Sequence, residues 1–254
     1  ALILSGQNVR AISRKDDASL RQLGVELFVG GFNEDFLRSC LIGVDIIVHC
    51  AGNATFGNCK KYYNENVDLT KSFINAYKEV NPHILFVFLS SIGAVDRSRE
   101  DSCEKPLNEN SYTNPTSDYG RSKLDAERIV RDECSSFLII RPAMVVGNRM
   151  RVDSHFSYFA DRAFRNKAFA RISWPGEFSV IHVSDLSNAI VHLTKKTATW
   201  NEVYLCSGEV ISLNDFFNFC CRRKRIPELL VASLIKPLES KYLLRKTQCH
   251  FLYL

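Results

Sequence analysis

Short apolar runs alternate with longer amphipathic ones through most of this chain. Residues 8–14, 25–29, 44–50, 84–89 and 137–140 read as strands of four to seven residues. Residues 33–42 carry Leu37, Cys40 and Leu41 at helical spacing behind Asn33, a residue suited to cap a helix. Residues 66–80 place Leu69, Phe73, Ile74 and Tyr77 on one helical stripe, and a further helix runs from about Tyr119 to Arg131. Strand–helix alternation of this kind predicts an α/β fold with a parallel sheet covered on both faces. Beyond about Gly147 the rhythm weakens. Helices are expected over 157–168, 184–195 and 213–221, and strands over 178–183 and 202–206. The predicted organisation is a nucleotide-binding domain over 1–147. A smaller part over 148–254 acts mostly as a cap, with some elements returning to the sheet.

Composition changes this picture little. The 254 residues are 46% hydrophobic and 24% charged, ordinary for a globular protein with a substantial core. The formal charge of +5 is mild and partly local, as in Arg222–Arg223–Lys224–Arg225; no nucleic-acid motif accompanies it, so a solvated surface is expected and no nucleic-acid partner. No apolar stretch reaches the ~20 residues that span a bilayer, and the first residues carry no secretory pattern. The apolar segment 229–235 mildly suits a greasy substrate or a membrane surface, although membrane contact is not expected. Nine scattered cysteines without paired metal-type spacing point to reduced thiols and a cytoplasmic protein, with no metal site.

The chemistry centres on Tyr119 and Lys123, four residues apart and so on one helix face. A phenol beside an ammonium can exchange a proton with a substrate oxygen near neutral pH. The same interval recurs at Tyr242 and Lys246, but in a basic segment that reads as a solvated helix face. Context separates the two pairs. Before Tyr119 a strand ends in Ser90–Ser91, and after Lys123 another ends in Arg141–Pro142–Ala143. A third strand ends at Ala51–Gly52, where small residues would admit a ligand to the backbone. In a parallel sheet these sequence-distant ends meet at one edge, where ligands bind. His49, inside an apolar run, reads as a satisfied core residue.

Taken in order, several segments resemble the extended short-chain dehydrogenase/reductase family, which contains the NAD-dependent epimerases and dehydratases. They are VDIIVHCAG (44–52), NVDLT (66–70), FLSSI (88–92), YGRSK (119–123), RPAMVVG (141–147) and IHVSDL (181–186). The resemblance covers nearly the whole chain to about Cys221. It implies a Rossmann-like doubly wound parallel sheet with a small C-terminal substrate-binding cap. Two departures accompany it. The glycine-rich phosphate loop and the first strand do not appear, so the sheet is expected to be N-terminally truncated and the sequence a fragment, with 1–6 reading as the end of the first helix. Gly30–Gly31–Phe32 also stands where the family usually has Gly-Asp-Leu.

The resemblance further implies roles. Tyr119 becomes the general acid/base, and Lys123 binds the nicotinamide ribose and lowers the Tyr119 pKa. Ser91 bonds the substrate oxygen, with Ser90 as the alternative. Phe32, Ala51, Gly52, Asn66, Ser90, Pro142 and Ala143 line the cofactor; Asn66 either orients it or caps local structure. Ser13–Arg14–Lys15 ends the second strand where NAD users carry an acid, so Arg14 points to NADP, with NAD the alternative if Asp16 or Asp17 binds the ribose. Arg149, His155 and His182 are expected to face a small-molecule substrate. By analogy, helices 66–80 and 117–131 would form a homodimer. The implied activity is an epimerase or dehydratase acting on a nucleotide sugar. A ketone, 3β-hydroxysteroid or dihydroflavonol reductase is the alternative, and a non-catalytic cofactor-binding protein or degenerate fragment is the reading of another class.

Overall fold

The computed structural model describes residues 1–55, 59–95, 106–147, 161, 165–166 and 176–222. Strand–helix alternation dominates it. The order is β1 (Arg10–Ser13), α1 (Ala18–Gln22), β2 (Glu26–Val29), α2 (Glu34–Leu41), β3 (Ile46–His49), α3 (Cys59–Tyr62), a π-helical segment (Tyr63–Asp68), α4 (Leu69–Val80), β4 (Leu85–Leu89), α5 (Asp118–Glu133), β5 (Phe137–Pro142) and β6 (Met144–Val146). Then come β7 (Glu177–His182), a helix over Val183–Thr194, β8 (Glu202–Cys206), β9 (Glu209–Ser212) and a helix over Leu213–Arg222. Helix α1 and the short strands β6 and β9 escape the sequence reading because each is too brief to show a period. The helix expected over 157–168 falls almost wholly outside the described residues, as do Tyr242 and Lys246.

Strands β3, β4, β5 and β8 pair in that order, all parallel. Strands β1 and β2 form a separate parallel pair, and β6, β7 and β9 a mixed sheet. Strand β8 thus returns from the late part of the chain to the main sheet. Alternation along the strands sends their side chains to two different cores. Phe86, Phe88 and Ile139 pack with Leu37 of α2, Phe73 and Tyr77 of α4, and Ala126 and Val130 of α5. Leu85, Val87, Leu138 and Ile140 pack on the other face with Leu186, Ala189, Ile190 and Leu193 of the helix Val183–Thr194. A sheet buried on both faces needs apolar residues at consecutive positions, which is why β4 reads Leu-Phe-Val-Phe-Leu without a polar break.

Local chemistry sets the helix starts. Asn33 Oδ1 accepts the Phe36 N–H at 2.9 Å and begins α2; Ser117 Oγ accepts the Gly120 N–H at 3.0 Å and begins α5. The helix expected from Asn66 begins earlier than its apolar stripe, because α3 and the π-helical segment lead into it. The first six residues form a single 3-10 turn over Ile3–Ser5, closed by Gly6 at φ 79°.

Among the described residues no helix is long and apolar enough to cross a membrane, and no group of His, Cys, Asp or Glu has metal-holding geometry. Cys40, Cys50, Cys134 and Cys206 are free thiols.

Candidate active site

The carboxyl ends of β3, β4 and β5 lie side by side, and α5 crosses them. Its residues Tyr119, Lys123 and Glu127 recur every fourth position and form one stripe toward the sheet. The helix can approach closely because residue 120 is glycine. A Cβ there would lie 2.2 Å from the Gly93 carbonyl oxygen and 3.0 Å from Pro115 Cβ. This contact seats Tyr119 beside the turn that follows Ser91.

Lys123 is only 6% exposed. Its ammonium donates to the Leu89 carbonyl at 3.0 Å, at the end of β4, and lies 4.9 Å from the centre of the Phe88 ring. An ammonium carries three donors, so one direct protein bond leaves capacity for hydroxyls of a bound molecule. Burial pushes the Lys123 pKa down to about 8, against the opposing pull of Cys50 and Glu127. Tyr119 is half-buried. Burial pushes its phenol upward, and the hydrogen bond with Ser91 only partly counters this. The expectation that Lys123 holds the phenol low therefore does not describe this structure: desolvation outweighs the neighbouring polar groups, and Tyr119 stands protonated at neutral pH.

Ser90 and Ser91 face different partners. Ser90 continues the ladder through its N–H to the Ile140 carbonyl at 2.8 Å, and its hydroxyl donates to Glu127 Oε1. Ser91 Oγ accepts the Gly93 N–H at 3.1 Å and lies beside Tyr119: a Cβ on Gly93 would come 3.5 Å from Ser91 Oγ and 3.6 Å from Tyr119 Cδ1. The hydroxyl beside the phenol is therefore that of Ser91.

Gly52 ends the β3 side of the cleft. Its φ of +156° suits glycine, and a Cβ would come within 2.6 Å of Asn66 Oδ1 and 3.5 Å of Lys123 Nζ. Asn66 is buried in the π-helical segment, a distortion that frequently marks functional sites. Its Oδ1 accepts the Asn53 N–H at 2.6 Å, and its Nδ2 donates to the Asn53 carbonyl at 3.1 Å and to Ser122 Oγ at 2.9 Å. Of its two expected roles, the structure displays the local one, tying the loop after β3 to α5. Ala51 is partly exposed, and Pro142 and Ala143 are buried at the end of β5, where Ala143 N–H donates to the Cys206 carbonyl at 2.8 Å.

Arg14 and Lys15 are exposed at the end of β1, and the Arg14 guanidinium lies 5.7 Å from the centre of the Phe32 ring. The nearby acids are occupied. Asp17 caps α1 by accepting the Ser19 N–H at 2.8 Å, and Asp16 holds Arg21 in an ion pair at 2.8 Å. His182 caps its own helix, with Nδ1 2.6 Å from Ser184 Oγ. Arg149 and His155 lie outside the described residues. His49 is a core residue as expected: it is buried, 3.0 Å from Thr70 Oγ1, with burial pushing its pKa down to about 3.

The sequence reading passes over Glu127 and Arg141 as functional groups. Both are 1% exposed and joined by a bidentate ion pair, Nε–Oε1 2.9 Å and Nη2–Oε2 2.6 Å. The signal available was the spacing Tyr119–Lys123–Glu127, which continues the Tyr119–Lys123 stripe by one more turn.

Comparison with known proteins decides the family. Residues 1–206 match the NAD dependent epimerase/dehydratase family. The chain belongs to that family of enzymes. Solved structures share its fold. The UDP-glucose 4-epimerase of Thermotoga maritima, solved with UDP-glucose, superposes with a TM-score of 0.71 at 17% identity, over 89% of this chain and 78% of that one. The UDP-glucuronic acid 4-epimerase of Bacillus cereus, solved with NAD, gives 0.69 at 19% identity, over 86% and 76%. The UDP-N-acetylglucosamine 4-epimerase of Bacillus cereus gives 0.69 at 20% identity, over 87% and 74%. No curated protein matches the sequence significantly. The family's nicotinamide cofactor is compatible with the donor set at this edge: a buried ammonium with donors to spare, a glycine that keeps the backbone bare, and two hydroxyls.

Proposed function

We propose that the protein is an epimerase or dehydratase acting at a hydroxyl- or carbonyl-bearing carbon of a nucleotide sugar, with Tyr119, Lys123 and Ser91 as its catalytic residues. The observation that carries this reading is the meeting of the Tyr119 hydroxyl, the Ser91 hydroxyl and the buried Lys123 ammonium where β3 and β4 end. Tyr119, protonated at neutral pH, exchanges its proton with the substrate oxygen. Ser91 hydrogen-bonds that oxygen, and the Lys123 ammonium binds ribose hydroxyls and stabilises negative charge as it develops on the phenol. What the nicotinamide cofactor supplies when bound is hydride exchange with the carbon that bears the oxygen. Phe32, Ala51, Gly52, Asn66, Ser90, Pro142 and Ala143 border the cofactor. Arg149, His155 and His182 are the residues proposed to bind the substrate, the first two lying outside the described residues.

NADP is the preferred cofactor in this reading. Arg14 is an exposed guanidinium suited to a 2′-phosphate, while Asp16 and Asp17 are engaged elsewhere. The proposed assembly is a cytoplasmic homodimer through α4 and α5. The test is incubation with UDP-glucose or UDP-glucuronic acid and NADP or NAD. Epimerised sugar with no net change in the reduced nicotinamide is expected. Stoichiometric consumption of NADPH with a ketone would instead favour the reductase reading. Calorimetric titrations of the intact protein showing no binding of either dinucleotide would remove both.

A further inference from the structure

One buried polar cluster lies one helical turn beyond Lys123, centred on Glu127. Glu127 is buried one turn beyond Lys123 on α5. Its Oε1 accepts the Ser90 hydroxyl and Arg141 Nε, and its Oε2 accepts Arg141 Nη2. Three elements are therefore fastened at one carboxylate: α5, the end of β4 and the end of β5. Such a pair is a poor device for stability alone. Burying two charges costs several kcal/mol per ion, and apolar replacements of similar volume are often as stable. What a bidentate guanidinium–carboxylate pair supplies is a fixed geometry.

That geometry bears on the reacting groups. The Ser90 hydroxyl turns back to Glu127, and the next residue, Ser91, turns its own to Tyr119. The other side of α5 is held through Ser122, which accepts from Asn66 and donates to the Tyr119 carbonyl at 2.7 Å. Without the Glu127 link, the polar ties of α5 would be those on the Asn66 side and the single Lys123 bond to the Leu89 carbonyl, and the residues just after β4 could shift relative to the helix. We propose that Glu127, clamped by Arg141, is a positioning residue that fixes the end of β4 against α5 and so sets the separation of Ser91 from the Tyr119–Lys123 pair. The proposal rests on the catalytic roles given above to those three residues.

Charge adds a second consequence. The groups facing Lys123 are Tyr119 and Glu127 on its own helix and His49 and Cys50 at the end of β3, with Arg141 of β5 behind Glu127. The carboxylate opposes the burial that drives Lys123 toward its neutral form. Replacing Glu127 by an uncharged residue shifts the Lys123 titration to lower pH.

Three variants test this. Glu127→Leu combined with Arg141→Met removes both charges and keeps apolar volume, so the fold is expected to survive. Its ligand-free crystal structure should show Ser91 displaced from Tyr119, and kcat per folded molecule with UDP-glucose should fall about tenfold or more with KM little changed. Glu127→Gln should move the Lys123 midpoint, followed by NMR of 13C-lysine-labelled protein, to lower pH by about one unit. Ser90→Ala leaves the ion pair and removes its link to the end of β4; because Ser90 also borders the proposed cofactor, cofactor affinity is read beside the rate, and kcat should drop several-fold with the cofactor Kd unchanged, which keeps the test decisive if the other two variants fail to fold. Ser91 undisplaced from Tyr119 and wild-type kcat in the variants that fold would overturn the proposal. Tyr119→Phe is the control. If it is inactive while these variants behave as wild type, positioning by Glu127 alone is refuted; if Tyr119→Phe itself is active, the catalytic assignment fails first.

Discussion

The two ends of the cleft are built differently. Around α5 the polar side chains are buried and held by the protein: Asn66 by Asn53 and Ser122, Lys123 by Leu89, Glu127 by Arg141 and Ser90. Around β1 they stand in solvent: Arg14 and Lys15 are exposed, and the Asp16–Arg21 pair is more than half exposed on both sides. The difference teaches which part of the site can be exact and which can drift. A buried donor or acceptor left without a partner carries a penalty of about 1–3 kcal/mol, so every buried group must agree with its neighbours. An exposed ion pair contributes about 0–1 kcal/mol, and its residues can change at little cost to the fold. The proposed division, reaction chemistry at the first end and cofactor discrimination at the second, fits that contrast.

The sharpest way to break the comparison is at the buried end. Tyr119→Phe removes one hydroxyl and should lower kcat by about 10²–10⁴-fold. Cofactor affinity measured by calorimetry should stay nearly unchanged; turnover near wild type would refute the role. Gly120→Ala comes next, since its methyl group would have to occupy space 2.2 Å from a backbone oxygen that cannot swing away. A loss of about 1–3 kcal/mol in urea unfolding is expected, and an unchanged midpoint would show that α5 does not need the close approach.

A pH profile probes the same end without displacing an atom. The Lys123 pKa is depressed to about 8, so its ammonium is present below that pH and lost above it. In the free enzyme, kcat/KM should therefore decline as pH rises through about 8, approaching a tenfold loss per unit. The residual activity of Lys123→Arg, whose charge persists, should show no such limb. His49 gives a stability counterpart. Its folded pKa, about 3, lies below the unfolded value of 6.5, so its contribution is complete above pH 6.5 and lost as pH falls toward 3. Urea midpoints should decline over that window, and less so in His49→Leu.

The smallest effect belongs to the exposed end. Arg14→Ala should reduce the preference for NADP over NAD by about tenfold or less, because solvent weakens a charge-assisted bond there. Unchanged affinities for both cofactors would take Arg14 out of recognition and sharpen the contrast between the two ends.

Much of the architecture was legible in the chain because burial on both faces leaves a plain mark. The runs Ile46–His49, Leu85–Leu89 and Phe137–Pro142 could be placed as strands, and so could the helix cap at Asn33, whose side chain accepts a backbone N–H. Short elements were not legible: β6 has three residues and β9 four, too few for a period to stand out. The site was legible where spacing carries it. Tyr119 and Lys123 share a helix face because helical geometry puts every fourth residue there. The sequence favours Ser91 beside Tyr119, with Ser90 as the alternative, since adjacent residues differ only in where the backbone turns them.

By itself the sequence determined the alternation of strands and helices, the family, and the stripe of Tyr119 and Lys123. Each is a matter of local period or of residues close along the chain. Tertiary structure alone decided that Glu127 joins Arg141 and Ser90, that Asn66 binds Ser122, and that burial drives Lys123 down and Tyr119 up. Those facts depend on groups 14 to 56 positions apart and on the exclusion of water, and neither is written in the order of neighbouring residues.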